Sequence, residues 1–195
     1  KGPAVRATRA QIDRDAYLRV VRRDVFGREN LWVRQDMAVA VLRENGRAAG
    51  VLTALGQTHA ARAVLLTTGT FLRGLIHVGL THFSGGRLGD PASQDLSASL
   101  RHIGLNLGRL KTGTTPRLLK ESIDFAGLEV QPGDAPPPGF SFLGPGPVLP
   151  QVPCHITYTN AATHAAIRKG LDRSPLYTGV IQGVGPRYCP SIEDK

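Results

Sequence analysis

The chain has 195 residues, 41% hydrophobic and 20% charged, so one domain or a domain with an excursion can bury a core. Lys and Arg number 24 against 15 acids, a formal charge of +9 that favours an anionic partner, with nucleic acid the obvious candidate and a generally basic surface the plainer one. The apolar run 63–68 is too short for a membrane helix, no signal peptide opens the chain, and the two cysteines, Cys154 and Cys189, form no C-x-x-C pair, which argues against a metal site and for a reducing, cytoplasmic setting.

Thr8-Arg-Ala-Gln11 has the form of a capping box, so a helix is expected from there to about Phe26, with Gly27 ending it. Tyr17, Val21 and Val25 share one face of it, and Asp15 and Arg19 stand one turn apart on the polar side. A short strand is expected at 31–34. Two more, at 38–43 and 48–54, flank Asn45-Gly46, a dipeptide that marks a hairpin, and a third short strand is expected near 58–60. Residues 62–68 hold the apolar run Ala63-Val64-Leu65-Leu66 and suit a strand buried in a parallel sheet, ending in Thr67-Thr68-Gly69-Thr70. Ser93 can cap a helix through about Ile103, with Leu96, Leu100 and Ile103 as its apolar stripe and Gly104 as its stop.

Composition shifts near residue 118. Residues 132–153 hold eight prolines, which precludes regular helix and suits an extended surface segment. A strand is expected at 154–159, then a helix from the Asn160 cap to about Leu171, with a turn at Ser174-Pro175. The six histidines show no metal-ligand spacing. Both ends read as cuts through a larger protein.

Several ordered stretches run through the chain: 1–11, Thr-Gly-Thr-Phe-Leu-Arg-Gly at 68–74, Ser-Gly-Gly-Arg-Leu-Gly-Asp-Pro at 84–91 and Gly-Arg-Leu-Lys-Thr-Gly-Thr at 108–114. Others are Gln-Val-Pro-Cys at 151–154, Leu-Asp-Arg-Ser-Pro at 171–175 and Gly-Pro-Arg-Tyr-Cys-Pro-Ser-Ile-Glu-Asp-Lys at 185–195. In these stretches the chain resembles the GidA/MnmG family of flavoproteins that modify tRNA.

The resemblance implies an α/β fold: part of a Rossmann-like FAD-binding domain with a β-meander, over 1–117, and an inserted α+β NAD-binding segment, over 118–195. It implies FAD and NADH as cofactors, and tRNA and a GTPase subunit as partners. It also implies a homodimer in the full-length protein and a carboxymethylaminomethyl or aminomethyl group built on carbon five of the wobble uridine. The family's glycine-rich phosphate loop is expected before Lys1. A related folate- and FAD-dependent tRNA methyltransferase and a non-catalytic RNA-binding piece are the alternatives.

By the same resemblance Ala38 and Ser93 touch FAD; as residues alone they read as an ordinary strand position and a helix cap. Thr67, Thr68, Gly69 and Thr70 end a strand at the side where ligands dock in open α/β sheets, and Gly69 permits close backbone approach. Gly185, Pro186, Arg187, Tyr188, Cys189, Pro190, Ser191, Ile192, Glu193, Asp194 and Lys195 match the family's NAD-binding stretch, in which Arg187 can meet a phosphate with two hydrogen bonds. Cys189 is expected to be the functional thiol, activated by Arg187, because a nearby cation lowers a thiol pKa. Cys154, at the head of a strand, reads as a small buried hydrophobe.

Overall fold

The computed structural model describes residues 9–185, 189 and 191–194. Two compact units divide them. One joins the segment ending at Val33 to Arg117–Thr159; the other joins Arg34–Pro116 to the segment beginning at Asn160.

In the first unit, helix α1 spans Arg14–Phe26. Thr8 lies outside the described residues, and the helix starts later than the capping-box reading expects. Asp13 is the cap instead, its carboxylate accepting the Ala16 N–H at 2.9 Å. An extended Asp with its carboxylate folded onto the first turn satisfies one of the orphan donors at a helix start. Gly27 closes the helix, as expected, and its N–H donates to the Arg23 carbonyl at 2.9 Å. Residues 31–34 form no strand, and Trp32 is 74% exposed. The proline-rich stretch is irregular and mostly exposed. Strands β6 (Glu129–Gln131) and β7 (Cys154–Ile156) pair antiparallel across it, with the Phe125 and His155 rings 4.7 Å apart. Cys154 is exposed, not buried as its position suggested, because β7 belongs to a two-stranded ribbon whose faces stay largely open.

The second unit is built on the meander β1 (Ala38–Glu44), β2 (Arg47–Thr53) and β3 (Thr58–Ala60), antiparallel and in sequence order. Asn45 and Gly46 turn it with φ of 49° and 79°, the left-handed pair whose twist suits a tight hairpin. Gly50 lets β3 close on β2: a Cβ there would strike the His59 carbonyl oxygen. Helix α2 (Leu96–His102) packs on β1 and buries Leu96 and Leu100, each about 1.5–3 kcal/mol of transfer free energy. The Ser99 hydroxyl accepts the Val41 N–H at 3.0 Å, so a side chain of the helix caps the outer edge of the meander.

Strands β4 (Leu75–Val78) and β5 (Thr81–Ser84) form a second hairpin that sequence reading does not anticipate. Helix α3 (Ala161–Gly170) is capped by Asn160, which accepts the Thr163 N–H at 2.9 Å, and a turn follows Ser174 as expected. Residues 62–68 are not a strand. A continuous apolar run becomes a central strand only beside other strands, and none of the described strands pairs with it; Leu65 is 88% exposed. The sheets among the described residues are all antiparallel, and parallel pairing is confined to single bridges, Leu72 with Ser93 and Leu110 with Val184. The fold is thus mixed α/β with small sheets and, among the described residues, three α-helices. No described helix is long and apolar enough to cross a membrane.

A buried thiol cradled by two distant segments

Ser93 does not cap a helix. Helix α2 begins three residues later, behind Asp95, which makes no side-chain cap bond. Ser93 is instead extended. Its N–H donates to the Phe71 carbonyl at 2.9 Å, its carbonyl accepts from the Arg73 N–H at 2.8 Å, and its hydroxyl reaches the Ala38 carbonyl at 3.4 Å. Phe71 in turn donates to the Thr68 carbonyl at 3.0 Å across the turn in which Gly69 takes φ 53°. Thr70 donates its hydroxyl to the Gly86 carbonyl at 2.6 Å. The expected cofactor positions Ala38, Ser93 and 67–70 therefore converge on one neighbourhood of the second unit. Thr67, Gly69 and Thr70 are exposed.

The next link is Arg109. Its guanidinium donates to the Arg73 carbonyl at 3.2 Å, which ties the segment 109–113 to that neighbourhood. The same segment lies along residues 183–185, with Val184 N–H donating to Arg109 and Lys111 N–H donating to Val184. Gly183 and Gly185 leave room for this approach: a Cβ on Gly185 would stand 3.0 Å from the Lys111 side chain.

Beyond that contact the chain returns with Cys189, only 2% exposed, and Ser191, 6% exposed. The Cys189 sulfur accepts the Gly113 N–H at 3.3 Å and lies 3.1 Å from the Ser191 hydroxyl. Lys111, whose side chain is 9% exposed, places its Nζ 3.5 Å from Ser191 Oγ and 3.7 Å from the Asp194 carboxylate. A helical turn at Ile192–Asp194 follows, and Tyr177 donates to the Glu193 carbonyl at 2.6 Å. These donors lower the Cys189 pKa to about 7. The Ser191 hydroxyl has the largest effect, then the Ser191 backbone N–H, which together with the Gly113 N–H and the Lys111 charge outweigh the opposing effect of burial.

Of the expected nucleotide stretch, Gly185, Ser191 and Asp194 approach Lys111, Cys189 approaches Gly113 and Ser191, and Ile192 and Glu193 lie in the helical turn that leads to Asp194. Pro186, Arg187, Tyr188, Pro190 and Lys195 lie outside the described residues, Arg187 as the expected activator among them. The cation observed near the thiol is Lys111. Neither Lys111 nor Gly113 stood out from sequence spacing, since nothing local points from 108–114 to a partner 76 residues away.

The second unit is thus mixed α/β, with a meander, a glycine turn and a buried thiol that faces a backbone N–H and a hydroxyl. The chain belongs to the glucose inhibited division protein A family, whose model matches residues 1–195. It is 46% identical to Aquifex aeolicus GidA in one crystal form, with a TM-score of 0.83, covering 100% of this chain and 33% of that one. A second crystal form of that protein matches at 43% identity and a TM-score of 0.83, covering 100% and 32%. The chain spans about a third of the length of those structures.

Proposed function

We propose that the chain is the thiol-bearing part of an FAD- and NADH-dependent enzyme that modifies the wobble uridine of tRNA on carbon five, together with a GTPase subunit. Family membership supports the enzyme class. The observation that carries the reading is the Cys189 sulfur, buried and facing a backbone N–H, a hydroxyl and, behind the hydroxyl, an ammonium. That is an environment for a thiolate, the nucleophilic form.

The thiolate adds to carbon six of the uridine. A sulfur lone pair forms the S–C bond, and the carbon five–carbon six π pair becomes available at carbon five for attack on the methylene of a folate-borne iminium, whose carbon–nitrogen π pair moves onto nitrogen. Loss of the carbon-five proton and departure of sulfur restore the ring.

Ala38, Ser93 and the turn 67–70 fit an FAD contact. Ala38 and Ser93 are adjacent, and at Gly69 only the Phe71 ring edge, at 3.9 Å, would meet an added Cβ, so a ligand can approach the backbone. When bound, FAD supplies reducing equivalents. The 185–195 stretch is proposed for NADH. The division into an FAD-binding part over 1–117 and an inserted part over 118–195, the Rossmann-like sheet, a homodimer and a cytoplasmic location belong to the same proposal. The test is Cys189→Ser in the full-length enzyme. Modified uridine should vanish from tRNA digests while flavin absorbance is retained. Normal modification would exclude the thiol from the chemistry.

A further inference from the structure

The Ser191 hydroxyl sits between two groups with different demands. On one side Lys111 has only protons to give, so Nζ donates to Ser191 Oγ at 3.5 Å and occupies an oxygen lone pair. On the other, the Cys189 sulfur lies 3.1 Å away and already accepts the Gly113 N–H. With its oxygen engaged by the ammonium, the hydroxyl proton is free for the sulfur. The direct pull of the Lys111 charge on the thiol is the smallest of the lowering causes, and the Ser191 hydroxyl bond is the largest.

We infer that Lys111 is a positioning residue for the Cys189 thiolate, acting through Ser191 by fixing which way the hydroxyl donates. The placement is built into the fold. The Lys111 stem is buried against Gly185, its backbone is paired with Val184, and its ammonium is shared with the Asp194 carboxylate. A glycine at 113 lets this segment approach, since a Cβ there would collide with Ser191 Oγ. Among the described residues the charged groups near the thiol are Lys111 and Asp194. Arg109 is committed to the Arg73 carbonyl, and Glu193 enters through its backbone carbonyl, bonded by Tyr177. The inference rests on Cys189 being the reactive thiol.

The experiment follows the Cys189 thiolate absorbance in the far ultraviolet, taken as the difference from the matching Cys189→Ser protein, as a function of pH. It uses the full-length protein and the Lys111→Met and Lys111→Arg variants, with folding checked by circular dichroism. Methionine keeps the apolar stem and removes the charge. Its midpoint should rise by about one pH unit, cutting the thiolate fraction about fivefold at neutral pH. Arginine should restore most of the loss. A folded Lys111→Met protein with an unmoved midpoint overturns the inference, and so does an equal rise in Lys111→Arg, which would assign the effect to packing. If Lys111→Met does not fold, Asp194→Asn decides. Freeing the ammonium for Ser191 should lower the midpoint, and an unmoved one overturns the inference. Wobble-uridine modification by Cys189→Ser, scored separately, distinguishes the two readings. Normal activity there removes the catalytic role of the thiol and leaves the Lys111 result to stand or fall alone.

Discussion

Gly113 donates its backbone N–H to the Cys189 sulfur at 3.3 Å, joining two segments 76 residues apart. The bond exists only because position 113 carries no side chain. An added Cβ would collide with Ser191 Oγ and stand 3.3 Å from the Ser191 backbone.

Gly113→Ala should therefore push the two segments apart. The expected result is a higher Cys189 titration midpoint and a large loss of uridine modification in the full-length enzyme. Thiolate absorbance profiles and tRNA digests check it; a variant with the parent profile would show that the segments tolerate the methyl group.

Ser191→Ala removes the largest cause of the lowered thiol pKa. The midpoint should climb from about 7 toward the ordinary 9.0, so less thiolate is present at neutral pH. Thiolate absorbance in the far ultraviolet, taken as the difference from Cys189→Ser, measures this directly. A midpoint that stays put would mean that the backbone donors suffice.

The same shift couples stability to pH. The folded thiol titrates below its unfolded value, so the folded state binds fewer protons between the two pKa values. Its contribution is complete above the unfolded value near 9.0 and is lost as pH falls through about 7. The urea midpoint of the parent protein, minus that of Cys189→Ser, should increase from neutral to alkaline pH. A flat or falling difference contradicts the assignment.

The two cysteines should respond differently to replacement. Cys154 is exposed, so Cys154→Ser should change stability by no more than about 0.5 kcal/mol. Leu96→Ala, by contrast, empties a 3%-exposed site between helix α2 and the meander and should cost about 2–5 kcal/mol. Chemical denaturation of both variants makes the comparison. A costly Cys154→Ser would show that the β7 ribbon is covered in the whole protein.

Features whose causes are local are legible in the amino-acid order. The Asn45-Gly46 hairpin, the short third strand, the Asn160 cap and the Gly27 stop follow from backbone freedom and side-chain capping within a few residues. The 185–195 motif also draws Cys189 out of the sequence as a candidate thiol. Where a position had two local readings, tertiary contacts decided. Ser93 looks like a helix cap, but its backbone is claimed by Phe71 and Arg73, and residues 62–68 look like a central strand but have no described strand beside them. The thiol's surroundings were decided by tertiary structure alone. Lys111, Gly113 and Ser191 meet because the 109–113 segment pairs with 183–184, and that pairing depends on side chains being absent at Gly183, Gly185 and Gly113. Close approach of distant backbone leaves no periodicity in a sequence, because it is set by long-range hydrogen bonds and by volume left unfilled.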